Sequence, residues 1–244
     1  MAPLNSSNRI GSSRETSLHT ALKDWYMVSG DTFEVVVDGY LIDIVRGDLL
    51  IEIQTRNFAA IKRKLVDLVE HHNVRLVYPI PKEKWIVYAA QDGQELIERR
   101  KSPKRGHIEQ LFSELVSFPK LVLDPNFSLE VLLVKEEELR YRTVLKGWSS
   151  KGWSLIDRRL LEVKERVLFR SKSDYLTLLP PNLRSPFTSL DLSDAIHQPR
   201  YLSQKMVYCL RSIGVIDAVG KIGNSILYAA SKSHSSEDID RSLD

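Results

Sequence analysis

Two carboxylates, Asp43 and Glu52, lie inside apolar, β-branched segments where acids are uncommon. The pattern over 39–54 predicts two strands joined by a two-residue turn at Gly47-Asp48, with glycine first as a type II′ turn prefers. Counting back from that turn places Asp43 opposite Glu52, and carboxylates facing each other in a sheet lie about 5 Å apart at Cβ and repel. A cation between them would relieve this repulsion. The donors are all oxygen, which suits Mg²⁺ or Mn²⁺ rather than zinc.

The same register puts four isoleucines on the other face of the hairpin, because side chains alternate along a strand. These are Ile42, Ile44, Ile51 and Ile53. The alternative is that Asp43 and Glu52 lie on a solvated face and bind nothing. The metal interpretation requires both acids to point the same way, and it collapses if they are tied up in salt bridges with arginine or lysine.

A strand aspartate, a turn, and then Glu-x-Lys or Glu-x-Gln on the next strand resembles the PD-(D/E)XK nuclease superfamily. Here the residues are Asp43 and Glu52-Ile53-Gln54, with a predicted helix before the strands and another after them. The likeness covers roughly 14–90. It implies a restriction-endonuclease-like α/β (α+β) core, a mixed sheet flanked by helices. The reaction it implies is phosphodiester hydrolysis with Mg²⁺ or Mn²⁺ held by Asp43, Glu52 and the Ile53 carbonyl.

Three further residues bear on this chemistry. Glu15, in a helix predicted over Arg14–Val28, points toward the core and matches the helix-one glutamate that assists metal binding in the resembled family; a capping box from Ser12 is its alternative. Gln54 stands where the family usually has lysine, and an amide offers hydrogen bonds but no charge. Lys62, in a helix predicted over Phe58–His71, is a candidate for the missing charge.

Composition bounds the class of protein. With 244 residues, 43% hydrophobic and 27% charged, the chain resembles an ordinary globular protein of up to two domains. Its one cysteine, Cys209, excludes an internal disulfide and fits a small core residue in a reducing compartment. Residues 1–13 and 231–244 are polar and predicted to be disordered. Since neither a signal-like segment nor a bilayer-spanning stretch is found, a cytoplasmic protein without membrane contact is expected.

Two separate strands, Val74–Tyr78 and Trp85–Tyr88, are predicted to complete the sheet of the 14–90 core. The region 91–185 that follows is not assigned to a domain and contains a basic segment at 99–105. Within it, a strand is predicted at Leu129–Val134 and a hairpin over Leu155–Phe169. The basic segment is expected to be a loop that contacts phosphates, with a solvated loop as the alternative. Its cations are Arg99, Arg100, Lys101, Lys104 and Arg105.

Residues 186–230 resemble a winged helix-turn-helix. Thr188 caps a short helix, Arg200–Ile213 forms a second helix ended by Gly214, and two short strands follow. The second helix is expected to present Arg200, Gln204, Lys205 and Arg211 to a DNA major groove, with Lys221 at the wing tip. The alternative is a protein-interaction module.

Two functions follow. The first is a metal-dependent DNA endonuclease with an attached DNA-reading domain, double-stranded DNA being the favoured partner. The second is a DNA-binding or regulatory protein that retains an inactive nuclease-like core. A protein partner or a homodimer is left open.

Overall fold

The computed structural model describes residues 17–89, 96–142 and 153–231. The α-helices are α1 Ser17–Tyr26, α2 Lys62–Val69, α3 Phe112–Leu115, α4 Lys172–Leu176, α5 Ser189–Ile196 and α6 Arg200–Ser212. The strands are β1 Thr32–Val37, β2 Tyr40–Arg46, β3 Leu49–Ile53, β4 Asn73–Ala89, β5 Leu96–Lys101, β6 Phe127–Arg142, β7 Trp153–Phe169, β8 Ile216–Ile222 and β9 Ser225–Ala230. Short 3₁₀ segments lie at Phe58–Ile61, Ile108–Leu111 and Pro119–Leu123.

Within the described residues, seven strands form one mixed sheet in the order β1-β2-β3-β4-β6-β7, with β5 also pairing with β4. Strands β1, β2 and β3 are antiparallel neighbours, while β4 runs parallel to both β3 and β6. Helices pack on both faces of the sheet. The predicted α/β class, a mixed sheet flanked by helices, is confirmed.

Two apolar clusters lie on opposite faces of this sheet, as the alternation along β3 shows. Leu50 joins the larger cluster with α2, α3, α5 and α6, whereas Ile51 and Ile53 join a smaller one under α1. The larger cluster also contains Met206 and Cys209 of α6, so residues 186–230 share one core with the sheet.

Strand β4 corrects the prediction of two short strands at 74–78 and 85–88. It is continuous for 17 residues although it contains Pro79 and Pro81. Residues 49–53 of β3 pair with 73–77, and β5 pairs only from Trp85 onward, so both prolines fall in the gap between these partners. Both prolines pair with β6 on the other edge of β4, and a proline is tolerated in a strand where its missing N–H faces an edge without a strand partner. The Pro81 carbonyl accepts a bond from the Gly106 amide at 2.9 Å.

The predicted hairpin over Leu155–Phe169 is wrong. This segment belongs to the 17-residue strand β7, which pairs antiparallel with nearly the whole of β6. Register shifts at Leu133/Val134, Lys135/Glu136 and Leu139/Arg140 interrupt the apolar alternation, and such bulges imitate a chain reversal in the sequence.

None of the described helices has the length and apolar character to cross a bilayer. The residues 1–13 and most of 231–244, for which disorder is predicted, lie outside the described part of the chain.

Candidate active site

The β2–β3 turn has the predicted geometry. Gly47 has a φ of +58°, the left-handed value that the first position of a type II′ turn requires and that glycine adopts without strain. The paired residues are Arg46 with Leu49, Val45 with Leu50, and Ile44 with Ile51. The predicted register is therefore confirmed up to Ile44 and Ile51.

Beyond that pair, the Asp43 carboxylate accepts the hydrogen bond of a β3 backbone amide in place of a backbone carbonyl of β2. The Ile53 amide donates to Asp43 Oδ2 at 2.8 Å. The His19 imidazole of α1 approaches the same place, with Nε2 3.2 Å from Asp43 Oδ2 and 2.9 Å from the Ile53 carbonyl oxygen. Two oxygens, one from a carboxylate and one from the backbone, thus converge on a single nitrogen.

Ile42 departs from the prediction that four isoleucines share a face. It packs in the larger cluster beside α2, whereas Ile44, Ile51 and Ile53 pack under α1. In β2, therefore, the side chains on either side of Asp43, Ile42 and Ile44, pack on opposite faces of the sheet. Glu34, which lies between the residues that pair with Ile42 and Ile44, has a φ of +50°, so β1 is irregular at the same level.

Glu52 is held by a lysine from α2. Lys64 Nζ donates to Glu52 Oε2 at 2.5 Å and to the Leu41 carbonyl oxygen at 2.5 Å. Both side chains are largely buried, with 15% of Lys64 and 12% of Glu52 exposed. The cation that reaches the acids is therefore Lys64, and the prediction of Lys62 is wrong.

The two acids titrate in opposite directions. Burial, reinforced by the negative charge of Asp43, raises the pKa of Glu52 from its ordinary value of 4.5 to about 7, although Lys64 opposes the shift. Burial also acts to raise the pKa of Asp43, but the hydrogen bond and charge of His19, together with the Ile53 amide and the charge of Lys23, outweigh it, so the pKa of Asp43 is lowered. One acid is thus held ionised while its neighbour resists ionisation, a pattern that clusters at functional sites.

These donors fit a hard divalent cation in part. Asp43 and the Ile53 carbonyl present converging oxygens, and the mutual repulsion of Asp43 and Glu52 would be relieved by positive charge. Among the described residues, however, no group of three or more histidine, cysteine or acidic side chains is placed to hold a metal ion. The third donor is a backbone oxygen, and the positions facing the acids are taken by His19 and Lys64.

Helix α1 is fixed at both ends, which positions His19. The backbone amide and hydroxyl of Ser17 donate to the Asp157 carboxylate of β7 at 3.1 and 2.5 Å. At the other end, the Tyr26 hydroxyl donates to the buried carboxylate of Glu130. Glu15 lies outside the described residues. His19 follows Glu15 by four residues in the sequence, so the predicted helix Arg14–Val28 would put both on one face, and this spacing is the signal that could have identified His19.

Gln54 takes no part in these contacts. Its side-chain amide donates to the Asn57 carbonyl oxygen at 3.2 Å, and its backbone amide donates to Val77 at 2.9 Å. Its side chain is therefore used in the turn that leads toward α2.

The basic segment 99–105 is not simply a loop, because Arg99, Arg100 and Lys101 belong to β5. Arg99 stacks on Trp85 at 4.2 Å and bonds Glu137 at 2.8 Å. The other two are paired as well, Arg100 with the Tyr88 hydroxyl at 3.1 Å and Lys101 with Glu83 at 2.5 Å. Only Lys104 and Arg105 follow in an exposed loop.

The C-terminal segment has the predicted order of elements, and Thr188 caps α5 by accepting a bond from the Asp191 amide at 3.2 Å. Arg200, Gln204 and Arg211 of α6 are exposed, as is Lys221 on the β8–β9 hairpin. Lys205 is an exception to the prediction. It is half-buried and turned toward the Ser113 carbonyl oxygen at 3.4 Å, away from the exposed face.

Comparisons with known proteins place the chain in a family. A family model described as "Domain of unknown function (DUF8091)" matches residues 16–170. An uncharacterized protein of Treponema pallidum (strain Nichols) is 33% identical over 191 residues, which cover 75% of this chain and 73% of that protein. No solved structure matches the chain. The chain therefore belongs to the DUF8091 family.

Proposed function

We propose that this protein is a metal-dependent DNA endonuclease that hydrolyses phosphodiester bonds at Asp43 and Glu52. The observation that carries the proposal is the convergence of Asp43 Oδ2 of β2 and the Ile53 carbonyl oxygen of β3 on His19 Nε2, at 3.2 and 2.9 Å, next to Glu52 on β3. A buried acid pair with opposed pKa shifts is costly to a fold and is typical of a site that handles protons or cations.

The chain order around the acids supports the same proposal. Helix α1, strands β1 to β3, helix α2 and strand β4 follow one another as in the PD-(D/E)XK core that the sequence resembles, and β3 and β4 are parallel. The acids lie where that resemblance requires them, one on β2 and one on β3. The endonuclease-like identity of the core and the winged-helix character of 186–230 belong to this proposal.

Each residue has a role in the proposed reaction. Asp43, Glu52 and the Ile53 carbonyl would hold Mg²⁺ or Mn²⁺, which supplies a more acidic bound water and neutralises charge on the scissile phosphate. Lys64 supplies the positive charge that Gln54 lacks and, once released from Glu52, donates hydrogen bonds to the phosphate or the attacking water. His19 holds the Asp43 carboxylate in the metal-free protein, and its Nε2 would have to leave the two oxygens for the ion to bind there. Double-stranded DNA in the cytoplasm remains the proposed substrate of this site.

The second candidate function is a DNA-binding or regulatory protein with an inactive core. One observation favours it: Glu52 is in the kind of salt bridge that was expected to rule out a metal site, with Lys64 at 2.5 Å, and Asp43 contacts His19 at 3.2 Å. Yet the pKa of Glu52 stays near 7 in the presence of Lys64, so this lysine does not compensate fully for burial and for the charge of Asp43. That residual repulsion is why we favour the metal-binding function.

The deciding experiment is plasmid cleavage with Mn²⁺ and with Mg²⁺, comparing the wild type with Glu52→Gln and Asp43→Asn. Both substitutions keep the shape of the side chain and remove its charge. We expect metal-dependent nicking by the wild type and none by either variant, with cooperative thermal unfolding retained in all three. Activity that persists equally in Glu52→Gln overturns the assignment. Metal-independent DNA binding without cleavage under either ion supports the second candidate.

A further inference from the structure

A concave surface on the far side of α2 from Glu52 carries a second set of cations. One groove, of about 640 Å³, lies between α6, the β9 strand and the 3₁₀ segment at 119–123. A second, of about 680 Å³, continues from that segment to α2. Both grooves are lined by Lys120, Tyr208 and Ser212, so they are adjacent, and the pair is called the joined groove below.

Four cations line this joined groove, and none is in an ion pair with a residue of the described ranges. They are Lys62, Lys120, Arg200 and Arg211. Lys82 and Lys164, in contrast, are paired, with Glu165 at 3.0 Å and Glu162 at 2.7 Å. The joined groove therefore has positive charge that the described part of the fold does not neutralise.

The acidic lining is small. Asp124 is the acid in the second groove, and its Oδ1 is occupied by the Asn126 amide at 2.9 Å. The described lining of the first groove includes three cations and no acid. An occupant with regularly spaced negative charges would complement this surface.

Apolar and aromatic groups lie between the cations. Tyr208 is 55% exposed at the point where the two grooves meet, and Val66 and Leu123 are 39% and 42% exposed in the second groove. A cationic groove with an accessible aromatic ring is the arrangement that binds single strands, because phosphates meet the cations while unpaired bases stack on the ring. The bases of a duplex are stacked on one another and cannot reach a ring inside a concave surface.

We propose that the joined groove binds a single-stranded polynucleotide, with its phosphates on Lys62, Lys120, Arg200 and Arg211 and a base stacked on Tyr208. This site is separate from the acid pair. Lys64 faces Glu52, whereas Lys62 and Val66, which lie about 40° apart on the same helix, face the groove. The binding site does not depend on the proposed cleavage.

The test is fluorescence anisotropy with a short labelled oligothymidylate, in EDTA and with the Glu52→Gln protein, so that no cleavage takes part. Tyr208→Ala should weaken binding about tenfold, within the range measured for stacking on one base, whereas Tyr208→Phe keeps the ring and should retain it. Tyr201→Ala is the matched control, since Tyr201 is 61% exposed on the same helix but lines neither groove.

Charge is tested by the salt dependence of binding. Four neutralised phosphates predict a slope of log affinity against log salt near −3, and Lys62→Gln or Lys120→Gln should each reduce it by about 0.7. Lys82→Gln and Lys164→Gln should leave the slope unchanged. The proposal is overturned if Tyr208→Ala and Tyr201→Ala behave alike, if all four lysine variants behave alike, or if duplex DNA or polyglutamate binds more tightly than the single strand.

If single strands do not bind as expected, the proposed cleavage at Asp43 and Glu52 is unaffected. If plasmid is not cleaved, the proposed single-strand site is unaffected. The two proposals can therefore be rejected separately. Circular dichroism of each variant checks that the substitution has not disturbed the fold, and the exposed positions of Tyr208 and Tyr201 make unfolding unexpected.

Discussion

Lys64 Nζ lies 2.5 Å from Glu52 Oε2 and 2.5 Å from the carbonyl oxygen of Leu41, so one ammonium group joins α2 to both strands of the acidic hairpin. It is therefore the nearest cation to the proposed reaction centre that the structure identifies. A substrate phosphate entering beside Glu52 would meet this group first.

Lys64→Met should reduce metal-dependent cleavage by about 100-fold or more, the usual loss when one group that stabilises developing charge is removed. The matched control is Arg63→Met, since Arg63 is the preceding residue of the same helix and its side chain is 90% exposed. Initial rates of plasmid nicking measure the difference. Equal losses in the two variants would contradict the role given to Lys64.

The stability of the fold should depend on Glu52 between pH 4.5 and 7. Because the pKa of Glu52 is raised to about 7 in the folded chain, the folded state binds the extra proton in this window and Glu52 costs stability as the pH rises through it. The cost at pH 8 is at most about 3.4 kcal/mol. Glu52→Gln should remove this part of the pH dependence, measured by urea unfolding at pH 5 and pH 8.

The direction of the expected change in stability with pH distinguishes the two possible balances at Glu52. Relative to the wild type, the Glu52→Gln variant should gain stability at pH 8 compared with pH 5. A relative loss at pH 8 would mean that the Lys64 ion pair outweighs burial and the charge of Asp43, and the raised pKa would then be wrong. Glu165→Gln, at an exposed and paired acid on β7, serves as the control.

Binding of Mn²⁺ should also follow the Glu52 proton. A metal ligand must be ionised, so below a pKa of about 7 binding releases a proton and the affinity should rise about tenfold per pH unit, levelling off above it. Titration calorimetry of the wild type at pH 6 and pH 8 measures this. Asp43→Asn should abolish the binding, and an affinity independent of pH would exclude Glu52 as a ligand.

A substitution at Gly106 tests how closely the chain after β5 approaches Pro81 of β4. A Cβ added at this position would lie 2.5 Å from the Pro81 carbonyl oxygen and 2.9 Å from Ile80 Cγ2. Gly106→Ala should therefore lower the free energy of unfolding by about 1–3 kcal/mol, as overpacking does. Gly220→Ala, where the added Cβ would meet nothing closer than 3.8 Å, should change it much less. Equal effects would contradict the close approach.

The hairpin was predictable because its information is local. Glycine at position 47 selects the turn, the turn sets the register, and the apolar alternation agrees with it up to Ile44 and Ile51. Beyond that pair the register alone could not predict the contacts. The Asp43 carboxylate, and not a backbone carbonyl, accepts the bond from the Ile53 amide, and Ile42 packs on the other face of the sheet from Ile44.

Lys64 could not be chosen over Lys62 by counting residues. The helix after β3 begins as a 3₁₀ segment at Phe58–Ile61, and three residues per turn instead of 3.6 change the phase of everything that follows. Which lysine faces the sheet then depends on how α2 packs. The long strands β6 and β7 were missed for a related reason, since bulges interrupt their alternation.

The common core of α2 and α6 has a consequence for any ligand that contacts both surfaces. Leu65 and Leu68 of α2 lie in the same cluster as Met206 and Leu210 of α6, so no linker separates Tyr208 from Glu52. A polynucleotide stacked on Tyr208 would therefore reach Asp43 and Glu52 only after a fixed number of nucleotides. That offset is determined by core packing, and lengthening a surface loop would not alter it.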